Sequence, residues 1–120
     1  MQATQPPQGD DTGTPFQNKP QTRSAILCGD FNFETGNAEY ATIQAAPAAH
    51  ATRLTDAWRA VHGSTPHAPT FRLHDRRYGP VPITCDFVFV SEDLAPRVRR
   101  VEVNTSTRVS DHQPVLLELA

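Results

Sequence analysis

The chain has 120 residues, of which 38% are hydrophobic and 20% charged, and its formal net charge is −2 at neutral pH. This length and composition predict one soluble globular domain, and no apolar run approaches the roughly 18–20 residues of a membrane span. The small net charge gives no electrostatic argument for a nucleic-acid partner, although a local basic patch is compatible with it.

The first segment, residues 1–22, has four prolines, two glycines and almost no aliphatic residues. That composition predicts a flexible loop or linker in front of a folded part at 23–120. The segment has no apolar stretch typical of a signal peptide. Two cysteines, Cys28 and Cys85, lie in apolar runs without a disulfide framework, which predicts buried, reduced thiols and favours a cytoplasmic location.

The first regular elements are a strand and a helix. The apolar run Ala25–Cys28, stopped by Gly29, predicts a strand that is buried on both faces. Residues Ala38–Ala46 read as a helix with Asn37 at its N-cap and Pro47 as its stop.

A second helix follows at "RLTDAWRAVHG". Thr55 is the predicted cap and Gly63 the predicted end. One face of this helix is expected to turn towards a core, because its apolar residues follow helical spacing. They are Leu54, Ala57, Trp58 and Val61.

The rest of the chain reads mainly as strands. A short strand is predicted at Thr70–Leu73, and a long one at "VPITCDFVFVS" with alternating faces. One face carries Cys85, Phe87 and Phe89, and the other carries Asp86, Val88 and Val90.

Two further strands end the chain, at "RVRRVEVN" and "PVLLELA". In the first, adjacent Arg99 and Arg100 interrupt the alternation and indicate a bulge. Because these late strands follow one another, we expect antiparallel pairing. The predicted fold class is α/β (α+β), with a mixed, largely antiparallel sheet and helices on one face.

Several polar residues stand where a core would not place them. Asp86 lies inside an apolar strand, so it must be paired with an Arg or a backbone N–H, or bind a metal. Asp111 and His112 form a tight turn before the last strand, and Asp30 with Asn32 follows the first. Each pair alone is compatible with a solvated turn.

Together these residues supply what phosphoryl chemistry needs. A hard divalent cation takes carboxylate oxygen, an attacking water needs a base, and the transition state needs hydrogen-bond donors. An imidazole needs a carboxylate to fix its tautomer.

The motifs "GDFN", "CDFVFVS" and "SDHQPV", in this order, resemble the endonuclease/exonuclease/phosphatase superfamily of metal-dependent phosphoesterases. "LTDAWR" and "PTFR" resemble further family features, and the likeness runs from about Arg23 to Leu119. It covers the carboxy-terminal half only, so the expected fold is half of a four-layer α/β sandwich. The family's first half, with its Asn and metal-binding Glu, has no counterpart among these motifs.

The resemblance implies a catalytic group of Asp30, Asn32, Asp86 and His112. Asp30 would act on the attacking water, and Asn32 would help it and contact the phosphate. Asp86 would hold His112, which would donate to a non-bridging phosphate oxygen or, in the alternative family mechanism, act as a base. Asp111 would be a metal ligand.

The same resemblance implies Mg²⁺, or Mn²⁺, as the cofactor. It places Thr70 and Phe71 on the substrate side, although both are also compatible with plain strand residues. The expected substrate is a phosphate ester: a nucleic acid, a phospholipid or a small molecule. The alternative is a truncated or degenerate relative that serves as a binding or interaction module without turnover.

Half a sandwich is expected to expose an apolar face, with Ile26, Val88, Val90 and Leu117 as candidates. Such a fragment would be incomplete as a catalyst, and would self-associate or be complemented by the missing amino-terminal half.

Other candidates are given simpler interpretations. Four histidines are expected to be solvated, namely His50, His62, His67 and His74. The loop with Arg72, Arg76, Arg77 and Tyr78 either contacts a phosphate or is solvated, and Trp58 is expected in the core.

Overall fold

The computed structural model describes residues 23–46 and 52–120. The elements are β1 (Ile26–Asp30), α1 (Ala38–Ile43), β2 (Leu54–Asp56), α2 (Ala57–His62), β3 (Asp86–Ser91), a 3-10 helix (Ala95–Arg97), β4 (Val98–Val103) and β5 (Val115–Leu119). The predicted linker at 1–22 and His50 lie outside the described residues.

The strands pair in two groups, and β3 is at the centre of the larger one. β3 is antiparallel to β1 on one side and to β2 on the other, while β4 and β5 form a separate antiparallel pair. The mixed α/β class with antiparallel strands is therefore confirmed, but the strands are divided between two sheets. The bulge predicted near Arg99 and Arg100 is confirmed by a register shift between Val98 and Arg100.

The alternation predicted for β3 is confirmed by the packing on its two faces. Phe87 and Phe89 pack with Tyr40 of α1, whereas Val88 and Val90 form the other cluster. The second cluster also contains Ala57 and Trp58 of α2, together with Leu94 and Val101. Because α1 and α2 join different clusters, they cover opposite faces of β3. The prediction that the helices lie on one face of the sheet is therefore corrected.

The expected burial of β1 is wrong. All five of its residues are exposed, with Ile26 at 48% and Leu27 at 42%. Both clusters form without a side chain from β1, because they are built around the two faces of β3. Val88 and Val90, expected on an exposed apolar face, are buried at 8% and 0% exposure.

The start of α2 also differs from the prediction. Thr55 is not the cap, because residues 54–56 pair with β3 as β2. Asp56 takes the N-cap position, and its side chain accepts a hydrogen bond from the Trp58 backbone N–H. Strand pairing therefore overrides the local helix signal at Leu54 and Thr55. The predicted end at Gly63 is confirmed.

Two other element predictions need correction. Helix α1 begins after Asn37 as predicted but ends at Ile43, before Ala46. The strand predicted at Thr70–Leu73 is reduced to isolated bridges at Phe71. Among the described residues, no helix is long and apolar enough to cross a membrane.

Candidate active site

The pairing of β1 with β3 brings two carboxylates to one edge of the sheet. Asp30 ends β1 and Asp86 begins β3, and the two are direct partners in the antiparallel register. Side chains directly opposite each other in such a pair lie on the same face. Strand register therefore explains how residues 56 positions apart in the chain meet.

His112 reaches this edge through Phe71. Phe71 forms backbone bridges with both Ile83 and His112, and its ring stacks on the imidazole with centroids 4.5 Å apart. The Gln113 backbone N–H donates to the Thr70 carbonyl at 2.7 Å. These contacts fix the turn before β5 against residues 70–71.

The imidazole of His112 lies between the two carboxylates. Its Nδ1 is 2.9 Å from Oδ2 of Asp86, and its Nε2 is 3.7 Å from Oδ2 of Asp30. Burial alone lowers the pKa of His112, but the hydrogen bond to Asp86 and the charges of Asp86, Asp30 and Asp111 outweigh it. The pKa of His112 therefore lies above its usual 6.5.

Thr70 lies behind Asp86 and is completely buried. Its hydroxyl donates to Oδ2 of Asp86 at 2.7 Å and accepts from the backbone N–H groups of Cys85 and Asp86. Thr70 had been expected on the substrate side, whereas the structure places its hydroxyl against the carboxylate that holds His112. Phe71 does line the pocket described below.

Asn32 holds Asp30 through a local turn. Its backbone N–H donates to Oδ1 of Asp30 at 2.9 Å, and its φ of 59° is in the left-handed region that Asn tolerates well. The "GDFN" motif is therefore a turn that fixes the carboxylate at the end of β1.

A pocket of about 340 Å³ opens beside these residues. Three carboxylates line it, from Asp30, Glu34 and Asp111, together with the amide of Asn32. His112 and Cys85 also face it, and none of its described lining residues is Lys or Arg. The pocket is therefore acidic, apart from the side chain of His112.

Four side chains at this edge are close enough to share a metal ion. Ligand atoms of Asp30, Cys85, Asp86 and His112 all lie within 4.8 Å of one another. Asp111, the metal ligand implied by the sequence motifs, is outside this group but lines the same pocket.

The sequence interpretation missed the position of Cys85. It is buried as predicted, but its Sγ is 3.6 Å from Oδ2 of Asp86. Burial, and then the charges of Asp86 and Asp30, raise the pKa of this thiol to about 12. The predicted alternation placed Cys85 and Asp86 on opposite faces, so no sequence signal indicated this contact, whereas β3 begins only at Asp86. Cys28, also predicted to be buried, is exposed on β1.

Two other interpretations are corrected. The ring of His67 is stacked on Trp58 at 4.4 Å and lies edge-on to Phe87; burial lowers its pKa. His62 is half-buried, with Nε2 2.9 Å from the Val101 carbonyl. Neither histidine is simply solvated, because the rings of both contact Trp58.

The basic loop has an internal role for Arg72. Its guanidinium donates to the carbonyls of Val81 and Tyr78 and lies over the Phe71 ring at 5.5 Å. The sequence left two alternatives for this loop, phosphate contact or solvation. Arg72 fits neither alternative, because its hydrogen bonds join two parts of the loop next to Phe71. Trp58 is in the core, as predicted.

Comparison with known protein families identifies the family of this chain. The sequence model of the endonuclease/exonuclease/phosphatase family matches residues 3–112, and the chain belongs to this family. The matched range includes most of the segment predicted as a linker. Searches of curated proteins and of solved structures give no match. The family consists generally of hydrolases of the nuclease and phosphatase kind, typically metal-dependent, and implies phosphate-ester substrates.

Proposed function

We propose that this site hydrolyses a phosphate ester by direct attack of water, with Mg²⁺ or Mn²⁺ bound in the pocket. The observation that carries the proposal is the imidazole of His112, held between Asp86 and Asp30 at the rim of an acidic pocket. A histidine oriented by one carboxylate, with its second nitrogen turned towards another, is suited to moving a proton at a reacting group.

The two ring nitrogens have different tasks in this proposal. Nδ1–H is directed at Asp86, so Nε2 is the nitrogen left for the pocket. Because the pKa of His112 is raised, Nε2–H can donate to a non-bridging phosphoryl oxygen as charge builds on it. Thr70 and Asp86 act as positioning residues behind His112.

Asp30 is assigned to the attacking water. The Asn32 backbone N–H anchors one oxygen of its carboxylate, while the other oxygen lies on the His112 side. The carboxylate orients the water and accepts its proton as the new bond to phosphorus forms and the ester P–O bond breaks. The amide of Asn32 is assigned to the substrate phosphate.

The charge of the pocket supports a bound cation. A phosphate ester is an anion, and the carboxylates of Asp30, Glu34 and Asp111 would repel it. Carboxylate and amide oxygens are also the ligands that Mg²⁺ and Mn²⁺ prefer, so the donor types fit. We assign Asp111 to hold the cation, which would neutralise charge and polarise the phosphoryl oxygen.

An assay with a generic phosphodiester and Mg²⁺ or Mn²⁺ tests the proposal. The His112→Ala and Asp30→Asn variants are expected to lose at least about 100-fold in rate, and a chelator should abolish hydrolysis by the unmodified protein. His74→Ala is the matched control, because His74 is exposed and bonds to Thr105 outside the pocket. Equal rates in all four proteins would discard the enzyme.

A second candidate function is an interaction module without turnover. Strand β1 favours it, because Ile26 and Leu27 are exposed on a strand that, among the described residues, pairs along one edge only, and such strands readily pair with another chain. A second copy of this chain, or the family's amino-terminal half, would suit this edge. Failure of the hydrolysis assay, together with self-association measured by light scattering, would favour this candidate.

A further inference from the structure

We propose that Cys85, Asp30, Asp86 and His112 form a binding site for a thiophilic divalent cation, Zn²⁺ in particular, and that Zn²⁺ bound there blocks the hydrolysis proposed above. The site would be distinct in donor chemistry from the oxygen-rich part of the pocket assigned to Mg²⁺. The inhibition rests on the proposed function, whereas the binding does not.

The donor set is the first argument. The four residues offer one sulfur, one imidazole nitrogen and two carboxylate oxygens within 4.8 Å of one another. Zn²⁺ takes four ligands of these types in a tetrahedral arrangement, whereas Mg²⁺ takes oxygen almost exclusively. A ligand set that includes a buried thiol therefore favours Zn²⁺ over Mg²⁺.

The spacing requires only a small adjustment. Zinc–ligand distances of about 2.0–2.3 Å correspond to ligand separations of about 3.3–3.8 Å in a tetrahedron. With Nδ1 as the imidazole ligand, two of the relevant separations are already in or near that range, at 3.6 Å between Cys85 Sγ and Asp86 Oδ2 and 2.9 Å between His112 Nδ1 and Asp86 Oδ2. The widest separation would contract by about 1 Å.

The position of Cys85 is the second argument. The residue is only 4% exposed, yet it lines the pocket and its sulfur lies beside two carboxylates. A bound cation removes the thiol proton, which is released to solvent, because the thiolate is the ligand. The resulting thiolate and the two carboxylates carry three negative charges, which the dication partly neutralises.

The overlap with the catalytic groups explains inhibition. Coordination of Nδ1 would replace the hydrogen bond by which Asp86 orients the His112 ring, and a coordinated Asp30 oxygen cannot accept the proton of a water. Zn²⁺ at this position would therefore use the two groups that the reaction needs. Excess Mg²⁺ is not expected to displace it, because Mg²⁺ does not take the sulfur ligand.

Titration with Co²⁺, which replaces Zn²⁺ and absorbs visibly, tests the binding. The unmodified protein should give a thiolate-to-cobalt charge-transfer band in the near ultraviolet. One equivalent of Zn²⁺ should abolish this band, whereas excess Mg²⁺ should not change it. Cys28→Ser is the matched control, because Cys28 is an exposed thiol outside the group. It should keep the band, whereas Cys85→Ser and Cys85→Ala should lose it.

Other outcomes overturn the proposal. They are no band with the unmodified protein, a band that survives both Cys85 substitutions, or a band lost with Cys28→Ser. Far-ultraviolet circular dichroism of each variant shows that a lost band reflects a lost ligand rather than a lost fold, and Cys85→Ala provides a second variant if serine is poorly tolerated.

The inhibition is measured separately, in the presence of Mg²⁺. Cys85→Ser should raise the Zn²⁺ concentration for half-inhibition at least about tenfold, as loss of a metal contact commonly does; an unchanged value contradicts inhibition through this site. Absence of any Mg²⁺-supported hydrolysis would defeat the proposed function, while the cobalt spectra would still decide whether the zinc site exists.

Discussion

Two carboxylates of the three-stranded sheet, Asp86 in β3 and Asp56 in β2, have similar partners and very different surroundings. Asp86 accepts from Thr70 and lies 2.9 Å from His112 Nδ1, and Asp56 accepts from the Tyr40 hydroxyl at 2.6 Å and from the Trp58 backbone N–H. Asp56 and Tyr40 are buried, at 1% and 5% exposure.

The difference lies in what the partner can still do. Burial, and then Asp56, raise the pKa of Tyr40 to about 12, so the tyrosine stays a neutral donor that is fully used by the carboxylate. His112 has a second ring nitrogen next to Asp30 and the pocket. We call Asp56–Tyr40 the closed pair, because neither side chain has a free group left for a ligand, and its role is structural. We call Asp86–His112 the open pair, because the second ring nitrogen of His112 can still contact a ligand, and its role is in the reaction.

The largest expected effect follows from breaking the open pair. Asp86→Asn keeps the shape of the side chain but no longer fixes the tautomer of His112 or stabilises its charged form. We expect the rate of phosphodiester hydrolysis to fall by about 10²- to 10⁴-fold with little change in the urea midpoint. A rate within twofold of the unmodified protein would show that His112 works without this carboxylate.

The closed pair should respond in the opposite way. Asp56→Ala leaves the Tyr40 hydroxyl and the Trp58 N–H without their acceptor and removes the N-cap of α2, so the free energy of unfolding should fall by about 2–4 kcal/mol. Urea denaturation measures this, with Asp75→Ala, a surface ion pair with Arg77, as the control. The hydrolysis rate per folded molecule should stay near normal; a specific loss of rate would make Asp56 part of the site.

Thr70→Val sharpens the comparison, because it removes only the hydroxyl behind Asp86. The Cys85 and Asp86 N–H groups lose their acceptor, which should cost about 1–2 kcal/mol of unfolding free energy. The pH profile of hydrolysis should also shift, since Asp86 is less well oriented, and Thr70→Ser should restore it. An unchanged profile with reduced stability would limit Thr70 to a structural role.

The smallest effect concerns pH. The pKa of His112 is raised on folding, so its contribution to stability is fully present below the unfolded value of about 6.5 and is lost as pH rises through the folded value. The stability difference between the unmodified protein and His112→Asn should therefore shrink as the pH rises above about 6.5. Equilibrium denaturation at several pH values measures it, and a difference that grows with pH would contradict the raised pKa.

The sequence by itself determined the elements whose signal is local. Alternation of Phe87 and Phe89 with Val88 and Val90 predicts both faces of β3, because a strand repeats every two residues. The end of α2 at Gly63 and the bulge near Arg99 are also local signals of backbone geometry. The order of three short motifs was enough to indicate the family, because their residue types reflect a shared chemistry.

Only the tertiary structure decided which groups meet and how deeply they are buried. The exposure of β1, the change of Thr55 from helix cap to strand, and the partial burial of His67 all depend on partners distant in the chain. The same holds for Thr70 behind Asp86 and for Cys85 beside Asp30. Burial and strand register are set by long-range packing. Such packing can override a local preference, because pairing with the central strand stabilises the fold more than a helix cap at Thr55 would.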